Sequence, residues 1–191
     1  MKKILILSLL AFSFSNLQAQ APSFGLKVGS NFSNLEVKDG NSLDYINGIH
    51  LGGLAHLHLS KQWALQPEVI FSGQGGSLTS GSLTNKFVLN YINVPVLFQY
   101  MFDNGFRLQA GPQLGFLLSA KNKANNLEAD LKNDYKSTDV SFPIGLGYLF
   151  DSGLGIDGRW VPGISQINKT GNATTNNVFQ LGLFYQFHNH K

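Results

Sequence analysis

The chain has no cysteine among its 191 residues. That excludes disulfides, thiolate metal sites and a lipid anchor on a cysteine. Charged residues make up only 13%, few for the exterior of a soluble domain. Beyond the N-terminal segment, no apolar run approaches the roughly 18 residues that a membrane helix needs. The formal charge of +3 leaves no footprint for nucleic acid. What is abundant is glycine, with 21 residues, and phenylalanine, with 15. Few charges with many aromatics and glycines suit strands that meet lipid on one side, not a disordered tail.

The first residues read as an export signal. Met1-Lys2-Lys3 is a basic start, Ile4 to Phe14 is largely apolar, and Leu17-Gln18-Ala19 is a cleavage end. This predicts a signal peptide over 1–19, too short to span a bilayer, and one domain over 20–191. Removing Lys2 and Lys3 takes the formal charge from +3 to +1.

The rest of the chain alternates with a period of two, clearest near its end. Phe179, Leu181, Leu183, Tyr185 and Phe187 share one parity. Gln180, Gly182 and Gln186, with Val178 and Phe184, share the other. In a strand these parities are opposite faces.

Eight such runs are predicted. The first, 23–33, sets Phe24, Leu26, Val28 and Phe32 against Gly25, Lys27, Gly29 and Asn31. The second, 46–59, sets Ile49, Leu51, Ala55, Leu57 and Leu59 against His50, Gly52, His56 and His58. The third, 63–74, sets Leu65, Val69 and Phe71 against Gln66, Glu68 and Ser72. In the fourth, 86–101, Ile92, Val94, Val96, Phe98 and Tyr100 are set against Asn90, Asn93 and Gln99. The fifth, 105–119, sets Leu108, Leu114, Phe116 and Leu118 against Arg107, Gln109 and Gln113. The sixth, 138–150, sets Val140, Ile144, Leu146 and Tyr148 against Asp139, Ser141, Gly145 and Gly147. The seventh, 153–164, sets Leu154, Ile156 and Trp160 against Gly155, Asp157 and Arg159. The eighth is 177–187.

Connections alternate in length. Tight turns are expected at 60–62, 102–104 and 151–152, and long polar loops at about 34–45, 75–85, 120–137 and 165–176. An even strand number, short turns at one rim and long loops at the other predict an all-β, eight-stranded antiparallel up-and-down transmembrane barrel. A soluble barrel such as a lipocalin would reverse the faces. Here the polar parity is mostly Gly, Gln, Asn and Ser, which suits a lumen only wide enough for side chains to fill.

Several motifs strengthen this reading: Gly29-Ser30-Asn31-Phe32-Ser33, Leu65-Gln66-Pro67-Glu68, Asn90-Tyr91-Ile92-Asn93-Val94-Pro95, Ala110-Gly111-Pro112 and Asp157-Gly158-Arg159-Trp160. With them the chain resembles the small outer-membrane β-barrel proteins typical of the Bacteroidota, often labelled PorT-like. The resemblance covers essentially the whole mature chain and implies a barrel in the bacterial outer membrane. It implies no single activity, because fold does not fix function. The end of the chain is similar to the signal read by the barrel-assembly machinery, with Gly182, Tyr185 and Phe187 at its glycine and terminal hydrophobic positions. Leu181 stands where a polar residue is usual, and His188-Asn189-His190-Lys191 follows the aromatic.

Five charged residues fall on the lumen parity: Lys27, Glu68, Arg107, Asp157 and Arg159. They are expected to form a plug of ion pairs, with Glu68 among Arg107, Arg159 and Lys27, and Asp157 on the same wall. The rival reading is a constriction in which Arg107 and Arg159 favour anions. His50, His56 and His58 share the inner face of one strand. No further ligand is fixed near them by sequence, so neither a metal site nor a catalytic residue is assigned. A Ser/His/acid site would need these histidines to face lipid. Trp63, Tyr100, Phe102, Tyr148, Phe150 and Trp160 read as girdle residues at the membrane interface. Gly73-Gln74-Gly75-Gly76 reads as the start of a loop and lacks the lysine of a phosphate loop.

The function expected is that of a non-enzymatic outer-membrane barrel with a structural or loop-mediated role. A narrow pore for small solutes and a membrane-embedded lipid-modifying enzyme are the alternatives. No cofactor is expected. The expected partners are outer-membrane lipid, the assembly machinery and a protein or surface ligand at the loops.

Overall fold

A computed structural model describes residues 22–38, 42–81, 83–124 and 127–187. The expected signal peptide at 1–19 and the tail His188 to Lys191 lie outside the described residues.

Extended backbone dominates. The strands are β1 (Ser23–Val37), β2 (Ile46–His58), β3 (Trp63–Ser80), β4 (Leu83–Met101), β5 (Phe106–Ala110), β6 (Gln113–Ala124), β7 (Leu127–Asp130), β8 (Thr138–Ser141), β9 (Ile144–Leu149), β10 (Leu154–Val161) and β11 (Thr174–Gln186). They make eight staves, because β5 and β6 are two halves of one stave and β8 and β9 are two halves of the next. Every neighbouring pair is antiparallel. The ring closes where β1 pairs β11, from Gly25 opposite Gln186 to Val37 opposite Thr174.

The two interrupted staves have a common cause. Five prolines, Pro67, Pro95, Pro112, Pro143 and Pro162, fall on five successive staves in one line across the wall. Each lacks the N–H that would complete its ladder pair. The wall stays joined there because proline carbonyls still accept: Val96 N–H donates to Pro112 O at 2.9 Å, Gly111 to Pro143 O at 3.1 Å and Phe142 to Pro162 O at 3.2 Å.

The two faces sort as the alternation requires. Leu108, Leu114, Leu146 and Leu183 point outward and are 45%, 51%, 52% and 51% exposed, whereas Gln109 and Gln113 point inward at 4% and 6%. A girdle of rings follows the tight-turn rim, with Trp63 and Tyr100 at 5.0 Å, Tyr100 and Phe102 at 4.9 Å, Tyr148 and Phe150 at 4.9 Å and Tyr185 and Phe187 at 5.4 Å between centroids. Trp160 lies away from that rim and stacks on Phe179.

Three expectations need correction. Asn90, expected among the inner residues, has the outward parity of Ile92 and donates to Ser119 Oγ at 2.9 Å. Tyr91 and Leu89 are the inward residues there. The stretch 75–85 is not a long loop. β3 and β4 stay paired up to Ser80 opposite Leu83, and the alternation of Ser77, Leu78 and Thr79 continues the strand period through a stretch whose glycines and serines suggest a loop. Gly73-Gln74-Gly75-Gly76 therefore lies inside β3. Gly75 has φ 141°, and a Cβ there would sit 1.9 Å from Phe87 O, so this position demands glycine. Likewise 120–137 is partly ordered sheet: β6 runs to Ala124 and β7 returns along it. β3, β4, β6 and β7 together form a four-stranded arm beyond the ring.

The loop-side end of the lumen is apolar. Leu35, Leu89, Tyr91, Leu117, Ala120 and Ile167 form one buried cluster, with Leu43, Phe87, Leu131 and Tyr135 packed against it.

Candidate functional site

Below that apolar cap the lumen is filled by polar side chains. β10 projects Asp157 and Arg159 inward, β3 projects Glu68, and β1 projects Lys27. Arg159 forks onto Glu68, with Nη1 donating to Oε2 at 2.7 Å and Nη2 to Oε1 at 2.5 Å. The same Nη2 lies 2.9 Å from Asp157 Oδ2, which also pairs with Lys27 Nζ. Two cations and two anions thus form one buried network with zero net charge. Such a network withstands burial only when its hydrogen bonds are satisfied. Glutamines supply further bonds, although Asp157 Oδ1 and Arg159 Nε stay without a partner. Gln66 Nε2 donates to Glu68 Oε1 at 2.7 Å, Gln109 Oε1 accepts from Arg159 Nη2 at 3.2 Å, and Gln99 Nε2 donates to Gln109 Oε1 at 3.0 Å.

A second polar layer is centred on Asn31. Its Nδ2 donates to Ser72 Oγ at 2.9 Å and Gly73 O at 2.8 Å, and its Oδ1 accepts from Gln180 Nε2 at 3.2 Å. Its Oδ1 also lies 2.8 Å from His50 Nδ1. Gln74 bonds Ser72 at 2.8 Å and receives Asn176. The sequence offered Asn31, Gln66 and Gln109 only as inner-parity residues. Their part in the network depends on which staves face each other across the lumen.

Of the five predicted charges, four are brought together. Arg107 is not. Expected beside Glu68, it instead lies over the Phe184 ring, with Cζ 5.8 Å from the centroid. Its place in β5, only two residues above the 102–105 turn, keeps it lower in the lumen. The histidines point inward but do not converge. His56 Nδ1 is 3.2 Å from Gln66 Oε1, His50 turns to Asn31, and His58 meets His56 edge-on at 4.6 Å between ring centroids. Among the described residues no group of three or more His, Cys, Asp or Glu could hold a metal ion.

Gly182 has a role in this packing. A Cβ there would lie 2.6 Å from Asp157 Oδ1, 3.0 Å from Lys27 Cε and 3.1 Å from His50 Nε2. The missing side chain is the space that the ion network occupies. Phe187 continues the closing pair, its N–H donating to Phe24 O at 2.8 Å.

Residues 18–169 match the outer membrane protein beta-barrel domain. The chain belongs to that family. Family membership agrees with an apolar outer face and a polar lumen, and implies residence in the outer membrane. No curated protein matches the chain. Among solved structures, this barrel is similar to Neisserial surface protein A, NspA, with a TM-score of 0.60 at 12% identity, covering 88% of this chain and 100% of that one. It is also similar to Ail, the attachment invasion locus protein of Yersinia pestis, with a TM-score of 0.56 at 15% identity and the same coverage. Ail in complex with the heparin analogue sucrose octasulfate gives a TM-score of 0.54 at 15% identity, covering 88% and 100%. At these identities the likeness is one of fold.

Proposed function

We propose that this barrel is a sealed, non-enzymatic outer-membrane scaffold that presents its loop-side arm to a partner in the external medium. The lumen carries the first half of the reading. A continuous pore needs a wet path, whereas here an ion network and an apolar cluster are stacked in series. Lys27, Glu68, Asp157 and Arg159 are committed to one another, and the histidines face the lumen, away from any lipid substrate. The arm carries the second half. Among the described residues β7 ends the sheet and leaves one edge unpaired, with all four of its residues exposed. Unpaired edges accept further strands. Leu78, Leu83 and Leu127 are exposed on the arm, Leu127 at 79%. Lys86 and Lys123 stand opposite each other across it, with Glu128 opposite Lys123. Long loops of outer-membrane barrels face outward, so this surface meets the medium. Ail bears the name of an attachment protein and was solved with a heparin analogue; a role in attachment is of the same class.

The experiment compares the full chain in nanodiscs with a variant whose arm is cut back between Gly76 and Phe87. Both are exposed to arrays of extracellular glycans and secreted proteins. The proposal expects saturable binding to one array member, lost with the arm while the barrel still shifts on heating in gels. Equal binding by the trimmed barrel would contradict it.

A further inference from the structure

Gly158 is a glycine that the backbone does not need. It sits inside β10 on the lipid-facing parity of Ile156 and Trp160, and has no positive φ. Its ladder is regular, opposite Leu146 on β9 and Leu181 on β11, with no bulge. A Cβ there would meet only Leu181 Cδ2, at 3.6 Å, which is ordinary contact. The inward glycines nearby differ. A Cβ at Gly155 would strike Phe184 Cζ at 2.1 Å, and one at Gly182 would strike Asp157 Oδ1 at 2.6 Å. Glycine weakens a strand interior. Where no turn, bulge or crowded backbone requires it, it marks the close approach of a ligand.

The missing side chain opens a groove on the outer face. Across four staves one row reads Leu146, Gly158, Leu181 and Ser30. The two small residues are its low points and the leucines its walls. Phe106 and Phe150 carry the groove down to the tight-turn rim, and it encloses about 900 Å³. From Leu154, which closes the turn with Phe150, to Gly158 is four residues, about 13 Å of strand at roughly 3.3 Å each. The apolar band of such barrels is about 25 Å tall. The groove therefore stays within one leaflet and opens at the periplasmic rim. That leaflet of an outer membrane is made of phospholipid, and an acyl chain has the length and polarity that the groove accepts.

The turns beneath it select the head group. Asp103 lies in the turn from Phe102 to Phe106, and Asp151 in the turn from Phe150 to Leu154; both are exposed. Among the described residues neither turn carries a cation. Lys61 stands in the turn between β2 and β3, staves that do not line the groove. Two carboxylates attract an ammonium head group and disfavour a lipid of net negative charge.

We infer that the groove over Gly158 binds one phospholipid of the periplasmic leaflet, with an acyl chain between Leu146 and Leu181 and an ethanolamine ammonium at Asp103 and Asp151. The site is on the outer face, so it operates whether or not the arm meets a partner and whether or not the lumen conducts.

The test is native mass spectrometry of the full chain refolded in maltoside micelles with equal amounts of phosphatidylethanolamine and phosphatidylglycerol. The unaltered protein should retain one phospholipid, with phosphatidylethanolamine in excess. Gly158→Leu fills the groove without a clash and should lower retention at least tenfold. Leu114→Phe adds bulk to the lipid face outside the groove and should leave retention unchanged. The double change Asp103→Asn, Asp151→Asn should keep one lipid but lose the preference for phosphatidylethanolamine. Heat-modifiability on gels confirms that each variant is folded; if Gly158→Leu is not, Ser30→Phe fills the same groove from the next stave but one. No retained phospholipid on the unaltered protein, equal retention by the filled groove, or a dimer of the chain in place of the lipid adduct would overturn the assignment.

Discussion

At the scale of single residues, the sign and size of each substitution follow from which face the side chain occupies. Leu114 faces lipid and its neighbour Gln113 faces the lumen. A cation at mid-depth on the lipid face costs about 2–4 kcal/mol, so Leu114→Arg should reduce stability well beyond Gln113→Arg. Urea unfolding of the two variants in lipid vesicles measures the gap; equal stability would mean that the faces are reversed. In the lumen, Glu68→Ala strips the Arg159 fork of its acceptor and should cost about 3–5 kcal/mol. Removing both Glu68 and Arg159 should recover part of that loss, which a double-mutant cycle reads directly. Additive losses would show that the fork carries no coupling. Alternation in the sequence was enough to put Lys27, Glu68, Arg107, Asp157 and Arg159 on one face. It was not enough to pair them, because the stagger of the staves decides which residues meet across a lumen. That is why Arg107 was expected at Glu68 and lies over Phe184 instead.

At the scale of elements, the closing pair of β1 and β11 is the part whose loss undoes the ring. It spans Gly25 to Val37 on one strand and Thr174 to Gln186 on the other, and Phe187 adds its bond to Phe24 O at 2.8 Å. Phe187→Ser keeps that backbone bond but removes the terminal aromatic. It should lower the amount of folded barrel in outer-membrane fractions, scored as the heat-modifiable band, whereas Phe150→Ser, at another point of the same rim, should lower it less. Similar losses for both would assign Phe187 to the girdle alone. The staves were legible where apolar and polar residues alternate cleanly, as in β11. They were misjudged where small polar residues carry the strand, as in Ser77 to Ser80. Serine and threonine there suit a paired arm as readily as a loop. The proline line was present in the sequence as five separate residues. Only the register brings Pro67, Pro95, Pro112, Pro143 and Pro162 together.

At the scale of the whole molecule, export and sealing are the two claims. Cleavage after Ala19 predicts that protein recovered from the outer membrane begins at Gln20 in N-terminal sequencing, and a start at Met1 would refute a cleaved signal. The eight staves and the tight turns of one rim could be read from composition and period, whereas two of the four expected long loops, 75–85 and 120–137, are paired strand in large part. The seal could not be read in full. Leu35, Leu89, Tyr91 and Leu117 sit on inner parities, yet an apolar inner residue looks like noise until three staves bring such residues to one level. With a charge plug and an apolar cap in series, nothing should flow through this barrel. Conductance of the purified, refolded chain in planar bilayers tests it most directly. The unaltered protein should give no steady channel, and intermittent leak should arise only when Glu68→Ala is combined with removal of bulk from the cap, as in Leu89→Ala. A steady, voltage-independent conductance from the unaltered protein would contradict it.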